Sequence, residues 1–348
     1  MSNVKGILII GLFLSEKNRA TTIRTAADQL AELLSKNGYA VLKVSDKIKK
    51  VQRFLETINV ILRRRKEYNI AVLPIYGGYN SFIWADISSR ILKWLKKKTV
   101  LIVHGGSIPQ KMRLNPGRYY KILKRADKIV CPSGFLQETL KQHGFESVEI
   151  ENVLNLNEYI FHPKENFRPC LLWMRTFEKI YNPEMAVRVA AILSKRFPEF
   201  KMVMAGFDNG SLSSVKQLAS NLGVVDKIEF PGYIDIQQKN KYASECDIYI
   251  CTNKIDNAPV SVIEMMCLGL PVISVNTGGI PFLVRQNFNG LLVELDNDQE
   301  MADKITSIIE NSAKGKSIAE EGYKFSRQFG EGPVLEKWNY IFETLSTN

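Results

Sequence analysis

The sequence predicts an α/β protein of two doubly wound domains with a cleft between them. Short apolar runs alternate with helical patterns along nearly all of the 348 residues, and this alternation is typical of parallel sheets. The alternation stops at a linker near 155–168 and restarts after it. Pro163 lies within this linker, and Pro169 directly follows it. A chain of this length ordinarily forms about two domains.

Each half of the chain contains six candidate strands. In the first half they are Gly6–Ile10, Ala40–Val44, Ile70–Pro74, Val100–His104, Lys128–Val130 and Val148–Ile150, with helices near 21–37, 48–66, 81–95, 115–125 and 133–142. In the second half they are Cys170–Trp173, Lys201–Ala205, Lys227–Phe230, Ile248–Cys251, Pro271–Val275 and Gly290–Val293, with helices near 183–196, 211–222, 235–243, 259–268, 279–285 and 297–311 and a helical tail near 316–345. We therefore predict a first domain at 1–164, a second at 165–330, and a final helix at 331–348 that packs back toward the first.

The composition excludes several classes of protein. Hydrophobic residues make up 45% and charged residues 24% of the chain, which is ordinary for a soluble globular protein. No apolar run approaches the ~20 residues of a membrane span, and Ile7–Ile10 is too short for a signal peptide, so we expect a cytoplasmic protein. Five cysteines without a CxxC and three histidines predict neither a disulfide framework nor a metal site.

The charge is distributed unevenly between the halves. Residues 1–164 carry 28 Lys and Arg against 13 Asp and Glu, whereas residues 165–348 carry 19 against 23. A basic half should attract an anionic partner such as a membrane surface, nucleic acid or a phosphorylated acceptor. The alternative is that these cations are simply solvated.

The most informative stretch follows the strand at Ile248–Cys251, because ligands of doubly wound sheets bind at the carboxyl ends of strands. A helix is predicted to begin near Pro259, a residue favoured in a first helical turn, and the backbone N–H groups there, at Val260 and Ser261, suit a diphosphate. Glu264 could accept hydrogen bonds from a ribose diol, and Asp256 from a sugar hydroxyl. The alternative is that Glu264 has no ligand and lies near the N-terminus of the helix because the helix dipole favours a negative charge there.

A second pair of candidates follows the strand at Cys170–Trp173. Arg175 and Lys179 lie four residues apart just before a predicted helix. Taken alone, this spacing is typical of a solvated pair of loop cations.

These motifs resemble the signature of the retaining glycosyltransferases of sequence family 4, which have the GT-B fold of two Rossmann-like domains. That signature is E-x7-E, then a Gly-Leu-Pro-Val strand and a Gly-Gly-x-Pro loop. Here it reads Asp256 and Glu264, then 269–272 and 278–281, with Asp256 one methylene shorter than the family's Glu. The resemblance covers nearly the whole chain; it is strong in 170–293, moderate in 98–150 and weak before residue 98.

The resemblance implies roles for further residues. Arg175 and Lys179 match an Arg and a Lys that bind the donor diphosphate. A departing nucleoside diphosphate develops negative charge, and two fixed cations would lower that barrier. Gly206 matches a Gly turn, and the loop containing Tyr233 and Ile234 matches one that touches the nucleobase, where Tyr233 could stack.

The first half carries weaker matches. His104 matches a His that faces the transferred sugar, although a lone histidine is often structural. The family's Gly-rich first loop keeps only Gly11, and Arg19, Thr21 and Thr22 could instead meet an acceptor.

The resemblance implies a retaining, metal-independent glycosyltransferase that uses no cofactor beyond its nucleoside-diphosphate sugar, with UDP expected as the nucleotide. A glycan or lipid-linked acceptor of cell-surface polysaccharide synthesis would bind the first domain. One alternative is a catalytically weak relative that binds a sugar nucleotide as a partner subunit. Others are an epimerase or phosphorylase of the same fold, or a nucleic-acid-binding protein, for which no motif is present.

One segment suggests peripheral contact with the inner face of a membrane. Val51, Leu55, Ile58 and Leu62 form one helical stripe, and the flanking cations are Lys49, Lys50, Arg53 and the run at 63–66. A lipid-linked acceptor would explain the basic first half. The alternative is that the stripe packs on the first sheet, as a crossover helix must.

Overall fold

The computed structural model describes residues 6–13 and 25–346. The chain divides into two compact units: unit 1 comprises Met1–Leu154 with Phe329–Asn348, and unit 2 comprises Asn155–Gln328. The acceptor candidates Arg19, Thr21 and Thr22 lie outside the described residues. Among the described residues, no helix combines the length and apolar character needed to cross a bilayer.

Unit 1 contains a six-stranded parallel sheet in the order β2-β1-β3-β4-β5-β6. The strands are β1 Ile7–Ile10, β2 Val41–Val44, β3 Ile70–Ile75, β4 Lys98–Val103, β5 Lys128–Cys131 and β6 Val148–Glu149. Ile7 pairs with Val41 on one side and with Ile70 on the other. The residues of β1 and β3 are buried on both faces, which explains why they form continuous apolar runs.

In the described part of unit 1, six helices connect these strands. They are α1 Ala26–Lys36, α2 Lys50–Arg63, α3 Tyr79–Trp94, α4 Ile108–Leu114, α5 Pro116–Leu123 and α6 Gly134–Gln142. A capping box between Thr25 and Asp28 fixes the start of α1. The sequence did not predict α4, although Pro109 in its first turn is a helix-start signal.

Unit 2 contains a second six-stranded parallel sheet, in the order β12-β11-β10-β7-β8-β9. The strands are β7 Cys170–Met174, β8 Lys201–Ala205, β9 Ile228–Gly232, β10 Ile248–Cys251, β11 Val272–Val275 and β12 Leu291–Val293. The helices are α7 Pro183–Arg196, α8 Leu212–Asn221, α9 Ile236–Glu245, α10 Val260–Cys267, α11 Ile280–Leu283, α12 Asp298–Glu310 and α13 Ser312–Ser326. β7, β10 and β11 form the centre of the sheet, so their carboxyl ends lie side by side.

The boundary between the units falls after Leu154 instead of after residue 164. The intervening residues belong to unit 2 because they bond to it. The N–H of Ile160 donates to Asn240 Oδ1 at 2.8 Å, and that of His162 to the carbonyl of Leu268 at 3.0 Å.

The predicted helical tail is two helices. α13 ends at Ser326, and α14, Glu331–Ser346, belongs to unit 1. The break occurs where the Phe329 carbonyl accepts from the N–H of Leu154 at 2.8 Å, because that pairing takes the backbone out of the helix. Trp338 and Phe342 of α14 then enter the core on one face of the first sheet.

Candidate functional site

Arg175 directly follows β7 and is held from two sides. Its Nη2 forms an ion pair with Asp256 Oδ2, and its guanidinium lies 4.1 Å from the ring centroid of Tyr181. Its Nε is buried without a hydrogen-bond partner in the described part of the chain. Burial disfavours the charge, but Asp256 and the neighbouring tyrosines outweigh this and raise the pKa of the guanidinium. A fixed cation therefore stands at the carboxyl end of a central strand.

Asp256 lies in the loop between β10 and α10, where three polar groups hold its carboxylate. Besides Arg175, Asn253 Nδ2 donates to Oδ2 at 2.9 Å and the N–H of Asn257 donates to Oδ1 at 2.8 Å. The Asp256 carbonyl accepts from the N–H of Gly279 at 2.8 Å. The carboxylate is therefore oriented by its own loop and by the glycine-rich loop after β11.

The helix after this loop begins one residue later than the sequence predicts. Pro259 is the N-cap residue of α10, with Val260 as the first helical residue, so Pro259 is not within the first turn. The N–H groups of Val260 and Ser261 have no partner within the helix, because a helix cannot supply acceptors for its first N–H groups. Ser261 is buried and its Oγ accepts from the Tyr249 hydroxyl at 2.9 Å, which ties the helix start to β10.

Gly206 lies where two strand ends approach closely. It follows β8, its φ is +152°, and a Cβ built there would lie 1.9 Å from the Arg175 carbonyl oxygen. Its N–H donates to the Gly232 carbonyl at 2.7 Å. The absence of a side chain at Gly206 therefore permits the backbone position of Arg175.

Two aromatic rings lie at the ends of β8 and β9. Phe207 and Tyr233 stack with centroids 4.5 Å apart and planes 17° apart, and they are 41% and 36% exposed. Ile234, by contrast, is buried. The pair leaves an aromatic surface open to solvent beside Gly206.

Glu264, in α10, is buried and already has partners. Its Oε1 accepts from Lys239 Nζ at 2.7 Å and from the Tyr159 hydroxyl at 2.8 Å. Burial and the Glu264 carboxylate raise the pKa of Tyr159, so this phenol remains protonated and acts as a donor. The predicted ribose-binding carboxylate is thus held by α9 and by the segment that opens unit 2.

Lys179 is placed differently from Arg175. It lies on the surface in a short 3-10 turn, and its side chain forms no ion pair or hydrogen bond with any residue that the structure describes. The structure therefore brings Arg175 and Asp256 together, whereas Lys179 is an exposed cation that pairs with no described residue.

In unit 1, His104 follows β4 as predicted. Its N–H donates to the Ile75 carbonyl at 2.8 Å, and its ring stacks on Tyr76 with centroids 5.2 Å apart. Burial lowers the pKa of the imidazole to about 4, so His104 is neutral at pH 7. A neutral imidazole can donate from one nitrogen and accept at the other.

His104 and Tyr76 border a small pocket of about 40 Å³ within unit 1. Glu151 and Trp338 line it too, and most of the other lining side chains are aliphatic. Lys337 Nζ donates to both carboxylate oxygens of Glu151, at 2.7 and 2.6 Å. The pocket combines apolar walls with a few polar groups, but its volume is well below that of an ordinary small-molecule site.

Sequence reasoning missed Tyr181, Tyr159 and Lys239. Lys239 lies mid-helix in α9 and Tyr159 in the linker, where no strand-end rule directs attention. Tyr181 was detectable, because it lies two residues after Lys179 in the loop that was already a candidate. No group of three or more His, Cys, Asp or Glu in residues 6–13 and 25–346 could hold a metal ion.

A comparison with protein families finds one match within unit 2. Residues 159–325 match the model of the family described as glycosyl transferases group 1. The matched segment contains Arg175, Gly206, Asp256 and Glu264, and it lies entirely within unit 2.

Two proteins of similar sequence are named as glycosyltransferases. An uncharacterized glycosyltransferase of Haemophilus influenzae is 25% identical over 64% of this chain and 63% of its own length. The amylovoran biosynthesis glycosyltransferase AmsK of Erwinia amylovora is 21% identical over 70% of this chain and 62% of its own. These matches span somewhat less than two thirds of each relative.

Among solved structures, Anabaena HepE in complex with UDP is similar over 99% of this chain and 100% of its own, with a TM-score of 0.74 and 17% identity. This likeness and the two parallel six-stranded sheets confirm the predicted fold class, two doubly wound domains of the GT-B type.

Proposed function

We propose that the chain is a group 1 glycosyltransferase that takes a sugar from a nucleoside-diphosphate donor bound by unit 2. The observation that carries the proposal is the Arg175–Asp256 ion pair at the carboxyl end of β7, beside the loop that leads into α10. The segment that matches the family model contains the Arg175 cation, the oriented Asp256 carboxylate and the first N–H groups of α10.

In this proposal the diphosphate is held by cations and backbone dipoles. Arg175 is pre-oriented by Asp256 and Tyr181, while exposed Lys179 is free to approach the phosphates. The N–H groups of Val260 and Ser261 supply neutral donors at a helix N-terminus. Charge that develops on the leaving diphosphate would be stabilised by these groups without a divalent ion.

The nucleoside would lie along the remaining strand ends. Glu264 would accept from the ribose hydroxyls, and the loop from Gly232 to Ile234 would face the base beside the Phe207–Tyr233 pair. We propose UDP as the nucleotide, which is supported by the UDP named for the similar HepE structure.

The proposed transfer retains the anomeric configuration. The bond from the anomeric carbon to the diphosphate oxygen breaks as the bond to an acceptor hydroxyl forms on the same face, and the hydroxyl proton passes to the leaving phosphate. Asp256 and His104 would orient the sugar. His104 suits this as a neutral group, because its lowered pKa lets one nitrogen accept from a sugar hydroxyl.

For the acceptor we propose a glycan or lipid-linked glycan of cell-surface polysaccharide synthesis, bound by unit 1 in the cytoplasm. The support is the basic character of residues 1–164 and the name of the relative AmsK, which refers to amylovoran biosynthesis. The second candidate is a catalytically weak subunit that only binds the sugar nucleotide. It is favoured by the shorter Asp256, whose Oδ2 is already engaged by Arg175 and Asn253.

Thermal shift with UDP, GDP, ADP and their sugars tests the donor site, because a ligand of the folded state raises the midpoint of unfolding. We expect UDP and UDP-sugars to raise it in the wild type and much less in Arg175→Ala. Hydrolysis of the same donors, with and without EDTA, then separates an enzyme from a binding subunit. The absence of any nucleotide effect would refute the proposal, and activity that EDTA abolishes and Mg²⁺ restores would refute metal independence.

A further inference from the structure

The outer flank of α2 exposes apolar side chains. Ile48, just before the helix, and Val51 and Leu55 in its first two turns are 63%, 70% and 61% exposed. The sequence allowed that the stripe of Val51, Leu55, Ile58 and Leu62 packs on the sheet. In the structure Ile58 and Leu62 are half-buried, whereas Val51 and Leu55 are exposed. α2 instead buries Thr57 and Ile61, which project from a different side of the helix.

The topology explains the exposure. β2 is the edge strand of the first sheet, so α2, which leaves it, packs against α3 on one side. On the other side, no helix of the described residues covers Val51 and Leu55, because β2 has no neighbouring strand there. Three large apolar side chains therefore form one exposed patch at the start of α2.

Three cations flank this patch. Lys49 and Lys50 are exposed and form no ion pair with any described residue. Arg53 donates to the carbonyls of Lys47 and Ile48 at 2.9 and 3.0 Å, which holds Ile48 beside the first turn of the helix. The nearby acids are engaged: Asp46 pairs with Lys47 at 2.8 Å, and Glu56 accepts from Ser45.

We propose that this α2 face, formed by Ile48, Val51 and Leu55 with Lys49, Lys50 and Arg53, docks on an anionic lipid bilayer. Apolar side chains flanked by cations are the pattern of interfacial segments, in which the apolar groups enter the headgroup region and the cations meet lipid phosphates. Charge complementarity favours a bilayer over a second copy of this face, whose cations would repel. A nucleic acid would match the cations and leave the apolar patch unused.

The position of the face deepens the proposed function and rests on it for the identity of the acceptor. α2 begins after the carboxyl end of β2, and His104 follows the carboxyl end of β4 in the same parallel sheet. Docking through α2 therefore brings that edge of unit 1 to the headgroups, where a lipid-linked glycan would present its sugar.

The test is co-sedimentation of the purified full chain with vesicles, which requires no nucleotide and so does not depend on the proposed activity. Vesicles of phosphatidylcholine alone are compared with vesicles containing about one third phosphatidylglycerol, at about 0.05 M and 0.5 M salt. We expect binding to the anionic vesicles that weakens with salt and does not vanish, because the apolar contact is not screened.

Three double variants locate the contact. Lys49→Gln with Lys50→Gln should weaken binding about 30-fold at low salt, at about fivefold per cation. Val51→Gln with Leu55→Gln should remove the binding that survives high salt. Lys93→Gln with Lys121→Gln removes the same charge from exposed positions elsewhere in unit 1 and should retain most of the binding. UDP thermal shift in each variant checks that the donor site is intact.

Four results would overturn the proposal. They are equal loss in the Lys93/Lys121 control, equal binding to neutral vesicles, no vesicle binding at all, and tighter binding to duplex DNA of matched phosphate concentration. A concentration-dependent dimer that the Val51/Leu55 variant abolishes would assign the face to a second copy of the chain instead.

Discussion

Arg175 and Asp256, which lie 81 positions apart in the sequence, form an ion pair between the end of β7 and the loop before α10. Their side chains are only 19% and 15% exposed, so each charge depends on the other for compensation. The cation proposed for the diphosphate and the carboxylate proposed for the sugar are therefore one coupled unit.

This coupling predicts different consequences for the two proposed diphosphate cations. Arg175→Ala should lower kcat by about 10²-fold and also destabilise the protein by about 1–3 kcal/mol, because Asp256 loses a charged partner. Lys179→Ala should lower kcat similarly and leave stability unchanged, since Lys179 is exposed and unpaired within the described residues. Steady-state kinetics and urea unfolding measure the two effects.

A double-mutant cycle provides the control. If the pair is coupled, the loss of stability in Arg175→Ala with Asp256→Ala is smaller than the sum of the single losses. Additive losses would show that the contact contributes little, and wild-type turnover in both Arg175→Ala and Lys179→Ala would contradict the diphosphate assignment.

The strand pattern was predictable because it follows directly from burial. All twelve strands form at the predicted positions within a residue or two. The central strands were the plainest, since strands covered on both faces must be apolar throughout. The candidate site residues could be chosen from the sequence for a related reason, because parallel sheets bind their ligands at the carboxyl ends of the strands.

The pairings within the site were not predictable. The sequence around Tyr159 and Lys239 does not show that either residue bonds to Glu264, because those contacts arise only when the linker and α9 pack against α10. The break before α14 likewise depends on Leu154, far away in sequence. Periodicity also indicated the apolar stripe of α2 correctly without indicating which side of the helix the sheet covers.

Gly206 and Gly210 allow a matched test of the close approach at Arg175. Both have positive φ, +152° and +95°, but a Cβ at Gly206 would lie 1.9 Å from the Arg175 carbonyl, whereas nothing lies within 4 Å of one at Gly210. Gly210→Ala should cost about 1 kcal/mol of backbone strain. Gly206→Ala should cost more and also weaken UDP binding, because Arg175 must shift. Equal effects in unfolding and UDP titrations would argue against this role.

His104 predicts a dependence of stability on pH. Its pKa in the folded protein is lowered to about 4, below the ordinary 6.5, so its contribution is fully present above pH 6.5 and is lost as pH falls toward 4. Wild type should therefore lose about 1–2 kcal/mol more than His104→Asn between pH 7 and about pH 5. Urea unfolding at both pH values measures the difference, and identical pH dependence in the two proteins would contradict a buried neutral imidazole.

The Glu264 cluster predicts that Lys239 positions the carboxylate proposed to bind the ribose. Lys239 Nζ donates to Glu264 Oε1 at 2.7 Å, so Lys239→Met removes the ion pair and leaves the hydrogen bond from Tyr159. UDP affinity should then fall about tenfold, because the carboxylate loses a charge-assisted bond that holds it in place. Calorimetric titration of the wild type and the variant with UDP measures the difference.

Three variants separate charge from packing in this cluster. Tyr159→Phe removes one hydrogen bond and keeps the ion pair, so it should cost about 1 kcal/mol of stability and leave UDP affinity nearly unchanged. Lys241→Met, on the same helix and ion-paired with Glu245, should change neither. Glu264→Gln should weaken UDP about tenfold or more, since the charge-assisted bonds are lost. A loss of UDP affinity in Lys241→Met, or none in Lys239→Met, would show that Lys239 does not position the carboxylate.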